Sequence, residues 1–553
     1  MISPAKLDKL PTEVVSLVQE LQEEIISDIC RRVSKANYLT PTAEWELYKA
    51  NQLNLSYKEV NRRIAKQLKV RERKVQELYT DTVKQALKDD ADIYRIAAAM
   101  GKLPDSTGAK IDKYFRSASF SQLLSKGLQN SKGQMRNLCN SMAAEANRQL
   151  SDAMDLAHLK VISGAFSYND AIYSAVRSLA DKGITRVEYP SGRHDNADVC
   201  VRRAVLSSVN KSCCDIQLDL AHEVGSNYVE VTAHIGARPS HAEWQGQIYS
   251  LVRGDPKYPY FYDATGYGTG EGLGGWNCRH NFFPYFEGID TPYHTPDFTK
   301  NENDEYYALT QKQRGYERAV RDSKRQLAAL DGARQSAEDP QLRAMLDREF
   351  AQRSVTLKNR EARLDTFIRD NDLQRDNSRV RVVGFGKSVS QRAFHSGNNS
   401  YLKYMKQLGI ENPPKTIALF NEMMYNNTPE YQLLNTYMTS VKEGMLSPLS
   451  GFEKYCEYHN RIENEIVGLK TSTGVEIKSQ SKHFLERVFG TKNDPTHENR
   501  SRSGVCLEDI IDAIKVGKPK ANPKDASSVS FVTEKCSVSV NIDTGVLIQV
   551  NPK

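Results

Sequence analysis

Between Gln311 and Arg381 the chain carries 17 Lys and Arg against 12 Asp and Glu, yet Leu327, Leu330, Leu342, Leu346, Phe350 and Leu357 recur at helical spacing. A stretch this charged buries an apolar stripe only if its few large side chains line up, which a period of about 3.6 residues achieves. Asp339-Pro340 interrupts the pattern, because proline ends one helix and opens the next. The segment therefore reads as a helical hairpin. Charge-laced helices of this kind usually present a solvated face or act as a spacer. The specific alternative is that its arginines meet DNA phosphates, a local net charge of +5 being suited to a polyanion.

The same periodicity governs the first part of the chain, from Leu7 to about Leu159. Leu17, Leu21, Ile25 and Ile29 recur every four residues with Val18 and Ile26 beside them, while Glu20, Glu23 and Asp28 fall on other faces. The stripe predicts a bundle seam. Gly101, Pro104, Ser106 and Gly108 punctuate the helices that follow. Val199 to Leu220 reads as helix and the alternating, β-branched Tyr228 to Thr232 as strand, which makes the middle region α+β. Ser396 to Ser450, rich in Asn, Tyr, Met and Pro, carries no motif and is expected to link or prop the last domain. At 553 residues the chain is long enough for several domains. The expected fold is multidomain and mainly α with α+β parts: a helical region over 1–159, an α+β core over 160–296, the charged hairpin over 297–381, a supporting segment over 382–470 and a small α+β domain over 471–553.

Bulk properties narrow the function classes. No apolar run approaches the roughly eighteen residues that a bilayer-spanning helix needs, and Met1 to Leu10 has no signal-like apolar stretch, so no membrane partner is expected. The net charge of +7 favours contact with polyanions. Nine cysteines occur without a C-x-x-C pair, which reads as reduced thiols of a reducing compartment.

Six glycines lie between Gly266 and Gly275. No lysine follows them, and no strand-to-helix context surrounds them, so they match neither a P-loop nor a dinucleotide fingerprint. They read as a tight, irregular loop, and no cofactor is expected. His234, His241, Cys278 and His280 offer zinc-type donors, but the one-residue spacing of Cys278 and His280 is awkward for one tetrahedral ion. Hydrogen-bonded core histidines and a buried free thiol are the preferred reading, with metal binding as the alternative.

The strings YPSGRHDNADV, VTAHIGARPSHAEWQGQIYS and TGYGTGEGLGGWNCRHNFFPYF, between Val187 and Phe286, closely resemble the phage minor capsid protein 2 family. The resemblance extends to AEWELYK around Trp45, to DADIYRIAAA from Asp90 and to GFGKSVSQRA beyond Arg381. Trp276 to His280 with Pro284 is similar to the broader Mu F-like head-morphogenesis domain. Arg193, His194, Asp195, Arg238, His241, Trp244, Arg279 and His280 are its signature residues and carry no assigned reaction. The resemblance implies a virion component of a tailed bacteriophage, made in the bacterial host cytoplasm and placed in the capsid interior or at the portal vertex. Its partners would be the portal protein, the major capsid protein and packaged DNA.

The last eighty residues carry a different chemistry. Val475 to Ile477 reads as a short strand, and Ser481 caps a helix through SKHFLERVF on which His483 and Arg487 lie one turn apart, opposite Phe484, Leu485, Val488 and Phe489. A second helix carries Leu507, Ile510, Ile511 and Ile514, and three alternating strands follow, with turns near Glu534-Lys535 and at Asp543-Thr544-Gly545. This order, with SKHFLERV and DTGVLIQV, resembles the phage-borne barnase, EndoU, colicin and RelE-like nucleases. The resemblance implies a metal-independent ribonuclease acting on host RNA. His483 would be the acid or base, Arg487 and Lys535 would hold the phosphate, Thr544 would donate a hydroxyl, and His497 would be a second acid or base.

Overall fold

The computed structural model describes residues 11–35, 43–163, 165–183, 186–188, 194–289, 296–492, 501–523 and 525–553. It divides into two compact units, Met1–Ala393 and Phe394–Lys553. The first unit opens with α1 (Thr12–Ser34), α2 (Ala43–Ala99), α3 (Thr107–Tyr114), α4 (Ala118–Ile162) and α5 (Tyr168–Lys182). A short antiparallel pair, β1 (Arg186–Glu188) and β2 (His194–Asn196), leads into α6 (Ala197–Val224).

Helix α1 packs against α2, α4, α5 and α6, and most of the sequence stripe forms its seam: Leu21, Ile25 and Ile29 are fully buried together with Val18, whereas Leu17 is only partly buried. Glu23, which the periodicity places away from that stripe, is buried too, because α1 is covered on several sides; its carboxylate accepts the backbone N–H of Gly384.

A small antiparallel sheet follows, with β3 (Tyr228–Val231) central. Helix α7 (Pro239–Ala242) precedes β4 (Ile248–Ser250), and α8 (Phe261–Thr265) precedes β5 (Phe282–Pro284). Val229 pairs with Tyr249 of β4 on one side and Pro284 of β5 on the other.

The charged segment is the expected hairpin, α9 (Lys300–Ser336) and α10 (Pro340–Asp370). The Asp339 side chain accepts the Leu342 N–H at 2.8 Å and Pro340 occupies the first turn, where its missing N–H costs nothing. Leu327, Leu330, Leu346 and Phe350 are fully buried. Much of the charge is spent internally: Arg334 meets Asp331 at 3.1 Å and Asp347 at 2.6 Å, Arg353 meets Glu349 at 2.7 Å and also Asp181, and Arg360 donates to the Ala319 carbonyl at 2.9 Å. Arg343, Arg348, Arg363 and Arg369 remain exposed on α10. One hydrophobic core runs from Val14 to Ala393, so the segments 1–159, 160–296 and 297–381 contribute to the same interior.

Helix α11 (Asn377–Val380) follows the hairpin, and α12 (Lys387–Gln407) contains the boundary between the units. In the second unit the motif-free tract forms α13 (Ile417–Tyr425) and α14 (Pro429–Lys442), each capped by a threonine hydroxyl, Thr416 and Thr428. Helix α15 (Phe452–Arg461) leads to β6 (Ser479–Gln480), α16 (Lys482–Phe489), α17 (Leu507–Val516), β7 (Lys518–Asn522), β8 (Asp525–Val532), β9 (Cys536–Asn541) and β10 (Val546–Pro552). The sheet order is β6-β10-β9-β8-β7, with β6 parallel to β10 and the other pairs antiparallel. The strand expected at Val475 to Ile477 is reduced to a single bridge, Lys470 to Glu476, and pairing resumes only at Ser479. No helix among the described residues is long and apolar enough to cross a membrane.

Asp90, on α2, lies in the core and accepts a hydrogen bond from Gln217. Burial pushes its carboxyl from the ordinary 3.8 up to about 6. Between those values the folded state holds a proton that the unfolded chain has released, so this group's stabilising contribution is complete below about pH 3.8 and lost as pH rises through about 6. Asp90→Asn should therefore melt higher than the parent at about pH 8 and flatten the dependence of Tm on pH between about 4 and 6. Superimposable Tm profiles for parent and variant would contradict the assignment.

Candidate functional site

The glycine-rich loop is shaped by close backbone approach. Gly266 ends α8 in the left-handed region at φ 62°, and Leu273 N–H returns to the Thr265 carbonyl at 3.0 Å. A Cβ on Gly272 would lie 2.0 Å from the Gly266 carbonyl oxygen, which only glycine avoids. The folded-over loop delivers the Glu271 carbonyl to His241 Nε2 at 2.7 Å.

Around that contact the structure assembles residues that the sequence scatters over about fifty positions. His234 stacks on His280 with ring centroids 4.5 Å apart, and Trp244 packs edge-on against His280 at 4.8 Å. Cys278 and His280 leave the chain on the same side, with Sγ 3.7 Å from Nδ1. The one-residue spacing thus leaves the two donor atoms within reach of each other. Gln245, Asn210 and the Glu271 carbonyl complete the cluster. Gln245 Oε1 meets His280 Nε2 at 3.1 Å, and Asn210 donates to the carbonyls of Cys278 and His280. Spacing gives no signal for these three, which are ordinary polar groups until the fold brings them in.

Burial sets the protonation states. It pulls His241 down to about 4 and His280 well below the ordinary imidazole range, and it pushes the Cys278 thiol up to about 11. At neutral pH His241 and His280 are neutral imidazoles and Cys278 is a protonated thiol, which is not the arrangement of an activated nucleophile. His234, His241 and His280 border a cavity of about 320 Å³. Arg202, Arg238, Arg279, Arg314, Arg321 and Arg379 also line it, with Glu317 the acidic residue among the described lining. Arg238 donates to the Trp276 carbonyl at 2.7 Å. Arg193 lies outside the described residues, and His194 and Asp195 lie on β2.

In the second unit, Ser481 caps α16 as expected, its hydroxyl accepting the Phe484 N–H. His483 and Arg487 are brought together, with Arg487 Nε donating to His483 Nε2 at 2.9 Å. Arg487 is buried, against the expectation of an open polar face, because α16 packs on β10 and the guanidinium reaches Asn551 Oδ1 at 2.7 Å. Arg502 donates to the same oxygen. Of the other candidates, Lys535 precedes β9, where its carbonyl accepts the Lys553 N–H, two residues beyond Asn551. Lys535 pairs with Asp509 at 2.7 Å before β9, and Thr544 sits in the turn after it. A six-residue strand separates them by roughly 20 Å. His497 lies outside the described residues.

The sequence profile of the family described as phage minor capsid protein 2 matches residues 2–369. A structural protein of Lactococcus phage LL-H is 27% identical over 212 residues, covering 37% of this chain and 57% of that protein. A structural protein of Lactococcus phage mv4 is 45% identical over 78 residues, covering 14% of this chain and 62% of that protein. In both cases the chain spans less than two thirds of the relative's length. No solved structure matches.

Gly272→Ala tests whether the loop is a packing device. The added methyl must displace backbone, so a loss of at least about 1–3 kcal/mol is expected in urea unfolding, larger than for Gly108→Ala, which meets open space. Equal midpoints for the two variants would contradict the close approach.

Proposed function

The chain belongs to the phage minor capsid protein 2 family, and from that premise we propose that it serves at the portal vertex of a tailed-phage head, in low copy, through interfaces and without turnover. The observation that carries this reading is the coincidence of the family match over 2–369 with the continuous core from Val14 to Ala393. Its buried histidine cluster, moreover, holds neutral His241 and His280 and a protonated thiol instead of an activated catalytic group. In this reading the helical region engages portal and major capsid subunits and supports head morphogenesis or the packaging and ejection of DNA. Contact with packaged DNA falls to exposed cations of the hairpin such as Arg343, Arg348 and Arg363.

Cross-linking mass spectrometry on intact virions should join this chain to portal peptides, and heads assembled without portal should lack it. Normal amounts of the chain in portal-less heads would sink the placement.

A second reading, an effector carrier whose C-terminal region is a metal-independent ribonuclease on host RNA, is favoured by one observation: a half-exposed His483 hydrogen-bonded to Arg487, with Arg502 converging on the same asparagine. The full chain incubated with total RNA in EDTA should then cleave it, and His483→Ala should lower the rate by about a hundredfold or more, the usual scale of general acid–base catalysis. Intact RNA with the parent chain removes this reading and leaves the structural one untouched.

A further inference from the structure

We infer that His241, Cys278 and His280 form a binding site for a zinc-class divalent ion, its fourth position facing the arginine-lined cavity. All three side chains are buried, and each brings a ligating atom within 4.8 Å of the others. An ion with bonds of about 2.0–2.3 Å to nitrogen and sulfur in tetrahedral geometry holds its ligands about 3.5 Å apart. The Cys278–His280 edge, at 3.7 Å, already has that length. Small side-chain rotations bring in His241.

Hydrogen bonding fixes which ring nitrogens are available. Gln245 Oε1 accepts the backbone N–H of His234 at 3.1 Å, a role that only the amide oxygen can fill. The atom of His280 that meets this oxygen, Nε2, is therefore its N–H, and Nδ1, the nitrogen facing Cys278, carries the lone pair. By the same reasoning His241 Nε2 donates to the Glu271 carbonyl, and its lone pair is on Nδ1. Each imidazole thus has one nitrogen oriented by a carbonyl oxygen and the other left as a donor to an ion, the usual support for metal-ligating histidines. On binding, the Cys278 S–H bond breaks, its proton goes to solvent, and the sulfur electron pair forms the bond to the ion; the neutral imidazoles lose no proton. Arg238 and Arg279 favour the thiolate and leave the fourth position suited to water or a small anion. Such an ion would join α7 to the segment before β5 and, through the Glu271 carbonyl, to the glycine loop, in a region held by little regular structure.

The test uses the full chain, expressed with zinc in the medium and purified without chelator. Elemental analysis should give about one zinc per chain. Cys278→Ser should lower the content by about tenfold or more, a typical loss on removing a ligand or its support. His234→Ala should retain the metal, and its loss there would overturn the three-ligand assignment. Cobalt(II) added to metal-free parent should give a sulfur-to-metal charge-transfer band that Cys278→Ser lacks. If Cys278→Ser does not fold, His241→Gln, checked for helix content by circular dichroism, takes its place. A folded parent chain with no stoichiometric zinc and no cobalt band overturns the proposal and leaves a hydrogen-bonded histidine cluster beside a free thiol.

Discussion

Burial of α1 on several sides is the constraint on which the first unit depends. Helices α2, α4, α5, α6 and α9 all pack against it, although they arise from positions separated by hundreds of residues. A helix enclosed in this way cannot keep a simple apolar stripe and a polar back, and Gln19, Gln22 and Glu23 are accordingly buried with Val18 and Leu21. Glu23 accepting the Gly384 N–H links the first helix to the chain just after the hairpin. The cavity beside the histidine cluster follows from the same packing, since Thr12, Val15, Ser16 and Gln19 of α1 form one wall while α9 supplies Arg314 and Arg321.

That packing also decides what the charges of the hairpin do. A count of basic residues invites a nucleic-acid reading, but charge acts at a distance only where it is not already neutralised nearby. Arg334, Arg353 and Arg392 are held by Asp331, Asp347, Glu349 and Asp181, so they brace α5, α9, α10 and α12 against one another. Their removal would be felt first in packing. The exposed cations of α10 are fewer than the composition suggests, and a group of arginines lines the cavity beside the histidines.

Long helices were legible because each signal is local. The Leu21-Ile25-Ile29 stripe, the Asp339-Pro340 break and the Ser481 cap are all read within a few residues. The small sheet of the first unit was legible only at β3, because β4 and β5 are three-residue strands whose pairing is set by distant neighbours. Val475 to Ile477 looked like a strand by composition, but β-propensity reflects a place in a sheet, and the edge position beside β10 is taken by Ser479-Gln480. Arg487 was legible as a partner of His483 and illegible as a buried group, because α16 periodicity does not reveal that Asn551 and Arg502 close over it. Helices α13 and α14 came from a tract without motifs, where Thr416 and Thr428 are capping signals too common to stand out alone.

The histidine cluster shows the same division within a single site. Its donors were visible as residue types, but their chemistry turns on Gln245 and the Glu271 carbonyl, which decide where each imidazole proton sits. Cys278 and His280 meet just after the turn that Cys278 N–H closes on the Gly275 carbonyl, and the Glu271 carbonyl reaches His241 because Gly272 lets the loop fold onto Gly266. The glycines and the donors, which read in sequence as two unrelated curiosities, are one construction: the loop is tight so that its carbonyl can orient a histidine. A site of this kind is defined by backbone conformation more than by side-chain spacing.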